Sequence, residues 1–297
     1  MTGPQGTGSG VSIELLCRLA EVSRAAFYRR WREHAPLVEE TQLRDAVQRL
    51  CLAHRHYGHR RIAVLLRREG RCVNRKRVLR IMREDNLLCL RKPVFRPATT
   101  DSRHGWRIWP NLARHLQPTA INQLWVADIT YVRLAEAFVY LAVVLDAFSR
   151  KVVGWAMADH LRAELALNAL DMALASRAVI AGGLVHHSDR GVQYACGDYI
   201  VRLEAAGIQP SMSRIACPYD NAMAESFMKT LKQEEVNGSD YRDLAHARAE
   251  IGAFIDEVYN KQRLHSALAY LSPEEYEESS PWAAAQQPRA MEATSCP

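Results

Sequence analysis

Three acidic residues interrupt stretches that otherwise suit a protein core. Asp128 lies inside the apolar run WVADIT, Asp189 closes HHSD just before Gly191, and Glu225 falls within YDNAMAESFMKTLKQE. Carboxylates brought together repel, and holding them together is costly unless a cation neutralises them. Oxygen-only donors suit a hard divalent ion, Mg2+ or Mn2+, rather than zinc. Two such ions suit in-line attack on a phosphodiester, one activating the attacking oxygen and the other stabilising the leaving oxygen. Taken singly, each acid has an ordinary alternative: an arginine partner for Asp128, a turn for Asp189, a solvated helix face for Glu225. A fourth carboxylate, Asp146 in VLDAFSR, competes with them and is read as a structural or turn residue. Whether three acids make a site depends on the elements that carry them.

The runs QLWVADITYVRL, FVYLAVVLDAFSR and KVVGWAMA are short, apolar and β-branched, with a turn at Ser149-Arg150, and they predict an antiparallel meander. RAELALNALDMALASR reads as a helix, GLVHHSD as a buried strand, GDYIVRLEAAG as a helix and IQPSMS as a short strand. The order β-β-β-α-β-α-β-α is that of the ribonuclease H-like α/β fold, a mixed five-stranded sheet with helices on both faces. In that topology the first and fourth strands are neighbours, so Asp128 and Asp189 share one edge and the next helix brings Glu225 across. On that helix Met223, Phe227, Met228 and Leu231 fall on one arc, a core face, while Asn221, Glu225, Lys229 and Lys232 fall on the other. Asp220 suits its N-cap. Lys229 and Lys232 would then hold a DNA backbone near the metals, and Arg190 beside Asp189 joins the candidate DNA contacts. Residues 241–263 read as a further helix, and SPEEYEESS as the start of a polar tail.

Charge separates the chain into two halves. Residues 1–118 hold 24 Lys and Arg against 10 Asp and Glu, whereas residues 119–297 hold 15 against 23, so the first half is the one suited to nucleic acid. The alternative is a basic helical domain with no partner. Residues 11–36 show a helix-turn-helix rhythm with Ser23 as a cap, leaving Arg24, Arg29 and Arg30 for phosphates or base edges. Residues 37–90 form a second helical block, in which HYGHRRIAVLLRREG and VNRKRVLRIMREDNL present Arg60, Arg61, Arg75, Lys76 and Arg77. Residues 1–10 read as a disordered leader, 91–118 as an extended linker, 119–280 as the catalytic core and 281–297 as a disordered tail. No apolar run has the length of a membrane-spanning helix, and the seven cysteines are scattered without a C-x-x-C pair. A reducing cytoplasm is the expected compartment. His54, His56 and His59 followed by Cys72 and Cys89 match no standard zinc-finger spacing.

WVADITYV, FVYLAVVLDAFSRKVVGWAM, HHSDRGVQY, YDNAMAESFMKTLKQE and LHSALAYLSPEEYE resemble the DDE transposases of bacterial insertion sequences. The match is to the second reading frame product of the IS-three family, within the retroviral-integrase superfamily. Asp189 and Glu225 are separated by 35 residues, the family's spacing, and a basic residue, Lys232, follows seven positions after the glutamate. The resemblance implies that Asp128, Asp189 and Glu225 are the metal-binding catalytic triad, with two ions in the DNA-bound state, and that Lys232 contacts the element's terminal DNA. It implies nicking to free a 3′-OH, then attack of that hydroxyl on another phosphodiester. The implied partners are the terminal inverted repeats and target DNA, further copies of the chain as a homo-oligomer on DNA, and the upstream reading-frame product or a fusion with it. Two departures stand out: Leu264 replaces the proline the family often has, and SRIACPY lacks its Lys-Gly. A non-catalytic DNA-binding regulator of transposition and a ribonuclease H-type nuclease are the competing readings.

Overall fold

The structure is a computed structural model that describes residues 12–31, 38–89, 107–214 and 217–280. The expected leader and tail and most of the expected linker lie outside the described residues. Two short helices, α1 (Ile13–Leu19) and α2 (Arg24–Trp31), open it, and the hydroxyls of Ser12 and Ser23 accept the backbone N–H groups of Leu15 and Ala26. Next come α3 (Val38–Ala53), α4 (His59–Arg68) and α5 (Arg75–Glu84). Their apolar stripes meet through Leu43, Val47, Leu50, Ile62, Leu66, Val78 and Ile81.

Leu264, from far along the chain, is buried in the same cluster. Its N–H donates to the Tyr57 hydroxyl at 2.9 Å, and its carbonyl accepts from Arg61 Nε at 2.9 Å. Proline here would have no N–H to give. The departure from the family's proline therefore comes with a tie between the helical block and the rest of the chain.

The sheet contains β1 (Leu124–Arg133), β2 (Phe138–Asp146), β3 (Val152–Ala158), β4 (Val185–Ser188) and β5 (Gln209–Met212) in the order β3-β2-β1-β4-β5. The first three strands are antiparallel, and β1, β4 and β5 run parallel. Arg150 makes the turn from β2 to β3 with φ 62°. Side chains alternate across β1: Leu124 and Val126 enter one core, Trp125 and Ala127 the other. The second core is closed by α6 (Ala163–Ser176), α7 (Val192–Ala195) and α8 (Gly197–Ala205). The first is closed by α9 (Ala222–Glu234) and α10 (Leu244–Ala253). Helices therefore cover both faces of a mixed five-stranded sheet, the ribonuclease H-like arrangement. Packing is tight where α6 crosses β3: a Cβ on Gly154 would sit 2.2 Å from the Ala169 carbonyl oxygen.

Two expectations need correction. The helix read over 241–263 begins only at Leu244, capped by Asp243, and passes into a π-helical stretch over Phe254–Tyr259. The segment SPEEYEESS folds as α11 (Pro273–Ser279), because Ser272 and Glu275 form a reciprocal capping box. Its acids also find cations from elsewhere: Glu274 meets Lys151, Glu275 meets Arg68 and Glu277 meets Arg177. Polar composition masked a docked helix.

Candidate functional site

Asp128 stands in the middle of β1, opposite Val143 of β2. Val126 pairs with His187 of β4, so Asp189, one residue past β4, lies at the level of Asp128. Backbone donors steady both: Asp128 Oδ1 accepts from Ile129 N–H and Asp189 Oδ1 from Gly191 N–H, each at 2.9 Å. Glu225 is exposed in the first turn of α9. The Asp128 carboxyl is pushed up to about 7, first by burial, then by the charge of Asp189, with Glu225 adding to it and Ile129 N–H opposing. The three acids thus share one electrostatic field. They do not share a ready ligand shell: among the described residues, no three His, Cys, Asp or Glu side chains are grouped to hold a metal. The same holds for His54, His56, His59, Cys72 and Cys89; His54 instead stacks on Tyr57.

Lys232 lies 4.2 Å from the centre of the Tyr131 ring, a cation–π contact. Burial lowers its pKa, and the nearby Asp128 charge opposes that shift. Lys229 is exposed on the same helix.

Asp220 does not cap α9. Pro218–Asn221 forms a 3-10 turn, so the helix starts at Ala222 and Asp220 falls upstream of the capping position. Its Oδ2 accepts from Asn111 Nδ2 and from the backbone N–H of Arg214, both at 2.9 Å. The Arg214 guanidinium holds this carboxyl well below the usual carboxylate range. Asn221, assigned by its arc to the solvated face, is buried, and its Nδ2 donates to the Ala127 carbonyl at 2.9 Å. That bond fixes the start of α9 against β1 one residue before Asp128.

Behind Asp189 lies a polar frame that the sequence reading missed. Buried His187 reaches Ser211 Oγ through Nδ1 at 2.8 Å and Ser213 Oγ through Nε2 at 3.0 Å, while His186 Nε2 meets the Tyr199 hydroxyl at 3.0 Å. Burial lowers their pKa values to about 4 and about 3 respectively, so both are neutral. Tyr194 is buried in the field of Asp128 and Asp189, and its hydroxyl has no hydrogen-bond partner among the described residues. Two successive histidines in a buried strand were the available signal, since one must enter each core.

The basic candidates divide into two sets. Arg24, Arg60, Arg75 and Lys76 are exposed, and the side chains of Arg29 and Arg30 lie outside the described residues. Arg77 pairs with Glu40, Arg61 binds the Leu264 carbonyl and lies over the Tyr57 ring, and Arg190 Nε donates to the Ser213 carbonyl at 2.7 Å. Asp146 takes a structural part: it is buried and accepts three backbone N–H groups, from Asn122, Phe148 and Ser149.

Known families and relatives match most of the chain. The integrase core domain family matches residues 118–218 and again residues 206–273, and an HTH-like domain family matches residues 38–94. The 31 kDa protein of insertion element IS600 from Shigella sonnei is 40% identical over 268 residues, which cover 89% of this chain and 97% of that one. Transposase InsF of insertion sequence IS3A from Escherichia coli K12 is 35% identical over 272 residues, 90% of this chain and 94% of that one. Among solved structures, the trimeric HTLV-2 integrase catalytic core domain in complex with magnesium superposes with a TM-score of 0.42 at 14% identity, covering 54% of this chain and 99% of that one. On the identity and coverage of its insertion-sequence relatives, this chain belongs to the IS3 family of transposases.

Proposed function

We propose that this chain is the catalytic transposase of its element, cutting DNA to free 3′ ends and joining them to a target through Asp128, Asp189 and Glu225. The observation that carries the reading is the Asp128 carboxyl, raised to about 7 by burial and by two further acids. Holding three like charges in one field is unfavourable without a cation, and their all-oxygen donor set fits Mg2+ or Mn2+. When bound, such ions would supply activation of the attacking oxygen and charge stabilisation at the leaving oxygen. The chain's own residues do the positioning. Asn221, tied to the Ala127 carbonyl, sets where α9 begins, and Glu225 follows one turn later on the exposed side. Lys232, steadied by Tyr131, and exposed Lys229 hold the DNA backbone beside the acids. Arg24, Arg60, Arg75 and Lys76 present the helical half, residues 11–90, to the terminal inverted repeats.

In this reading the chain works on DNA in the bacterial cytoplasm as a homo-oligomer, with the upstream reading-frame product as a further partner or fused segment. The test is cleavage and strand joining on DNA carrying the element's ends, with Mg2+. Asp128→Asn, Asp189→Asn and Glu225→Gln are each expected to abolish both steps while DNA binding persists. Variants as active as the parent would remove the triad. Binding without nicking under any metal condition would favour a regulator, and cleavage of an RNA–DNA hybrid a ribonuclease H-type nuclease.

A further inference from the structure

A polar cavity of about 150 Å³ lies against another side of α9. Ser226 and Thr230 line it, one position on from Glu225 and Lys229 and therefore about 100° round the helix. Arg61 reaches it from α4, Arg150 from the β2–β3 turn, and Arg263 and His265 from the segment after the π-helical stretch. Three guanidinium groups thus converge on one space. Arg263 is forked onto Glu234, with Nη2 to Oε1 at 2.8 Å. Among the described residues, Arg61 has only a carbonyl and an aromatic ring as close partners. The Arg150 side chain makes no hydrogen bond or ion pair among the described residues. Asp146 also borders the cavity, but its oxygens already accept three N–H groups.

His265 supplies an independent observation. It is 6% exposed, and its Nε2 is buried without a hydrogen-bond partner among the described residues. Burial, then Arg263, Arg150 and Arg61, push its pKa down to about 3, so it is a neutral imidazole among cations. A buried polar nitrogen left unpaired is unfavourable, and so are converging cations unless an anion joins them. Guanidinium forks, an imidazole N–H and two hydroxyls all donate to the oxygens of a tetrahedral oxyanion.

We propose that this cavity is a binding site for a phosphate-class oxyanion, held by Arg150, Arg61, His265 Nε2–H and the Ser226 and Thr230 hydroxyls. The group is either a backbone phosphodiester of bound DNA or free phosphate; the chemistry is shared. Phosphate binding here stands or falls separately from the acid cluster. The test titrates inorganic phosphate into the full chain while following the His265 ring resonances and the thermal midpoint. A saturable shift of those resonances and a raised midpoint are expected. Arg150→Gln removes one of three like charges and, among the described residues, no hydrogen bond or ion pair, so without phosphate its midpoint should equal or exceed the parent's. Its phosphate affinity should fall at least about tenfold. Thr230→Val, a near-isosteric change, should also weaken phosphate and serves if Arg150→Gln does not fold. No saturable shift in the parent, or unchanged affinity in the folded variants, overturns the site. A short duplex that displaces phosphate from the parent assigns the site to a DNA phosphodiester; phosphate that stays bound beside the duplex assigns it to the free anion.

Discussion

Asp128 and Asp146 sit on neighbouring antiparallel strands, Asp128 across from Val143 and Asp146 across from Trp125. Burial raises the pKa of both carboxyls. Their partners differ. Asp146 Oδ2 accepts from Asn122 N–H at 2.6 Å, and its Oδ1 accepts from Phe148 and Ser149 N–H at 2.9 and 3.2 Å. Asp128 has one backbone donor and faces two more acids. Burial alone therefore does not separate the two acids; the sign of what surrounds each one does. Donors consume the charge of Asp146, whereas Asp189 and Glu225 leave that of Asp128 in want of a cation.

The largest effect expected from this contrast is on activity. Asp128→Asn should cut nicking of element-end DNA at least about 100-fold, beyond what loss of an outer-shell partner costs. It should leave chemical stability at pH 7 unchanged or higher, because a repelled charge is gone. Asp146→Asn should do the reverse. An amide nitrogen cannot accept the Asn122 N–H, so stability should fall by about 1–3 kcal/mol in urea unfolding, with nicking per folded molecule retained. Equal destabilisation by the two variants would erase the distinction.

Acidification sharpens it further. His186 and His187 are neutral in the fold with pKa values lowered to about 3 and about 4 from 6.5. The unfolded chain thus binds more protons than the folded chain between about pH 6.5 and 4, and these groups withdraw stability as pH falls through that window. Asp128 acts oppositely: its raised pKa makes the folded chain bind more protons between about pH 7 and 4, which adds stability as pH falls. Removing that opposing contribution by Asp128→Asn should steepen the loss of stability from pH 7 to 4 relative to the parent. Urea midpoints across this range measure the slope. A slope no steeper than the parent's means Asp128 titrates like an ordinary aspartate.

The sheet was legible because its strands are apolar, β-branched and bounded by turn residues, and a lone acid in such a run, like Asp128, shows by contrast. The surroundings of the acids were less legible because they are set by remote residues. An aspartate before a helix looks like a cap, yet Asp220 is drawn away by Asn111 and Arg214, and the chain enters α9 two residues later. Asn221 shares the helical arc of Glu225, but no periodicity could foretell its bond to the Ala127 carbonyl 94 positions earlier. Arg77 reads as a free cation until α3 brings Glu40 to it. For α11 the capping box was present locally, while the cations that dock it come from three separate parts of the chain. The candidate DNA contacts suffer most, since one distant carboxylate decides whether an arginine is available.

The smallest expected effect concerns two tyrosines beside the histidine frame, which repeat the contrast between satisfied and unsatisfied groups. The Tyr199 hydroxyl meets His186 Nε2 at 3.0 Å, whereas the equally buried Tyr194 hydroxyl has no hydrogen-bond partner among the described residues. Their rings pack edge to face with centroids 5.4 Å apart, so both phenylalanine variants keep the same packing. Tyr199→Phe leaves His186 without its partner and should cost about 1–2 kcal/mol. Tyr194→Phe deletes a hydroxyl that is desolvated for no bond, so stability should hold or rise by up to about 1 kcal/mol. Equal losses in urea unfolding would mean that Tyr194 is hydrogen-bonded in solution. With Asp128 and Asp189 already in its field, those carboxylates would be the first partners to examine.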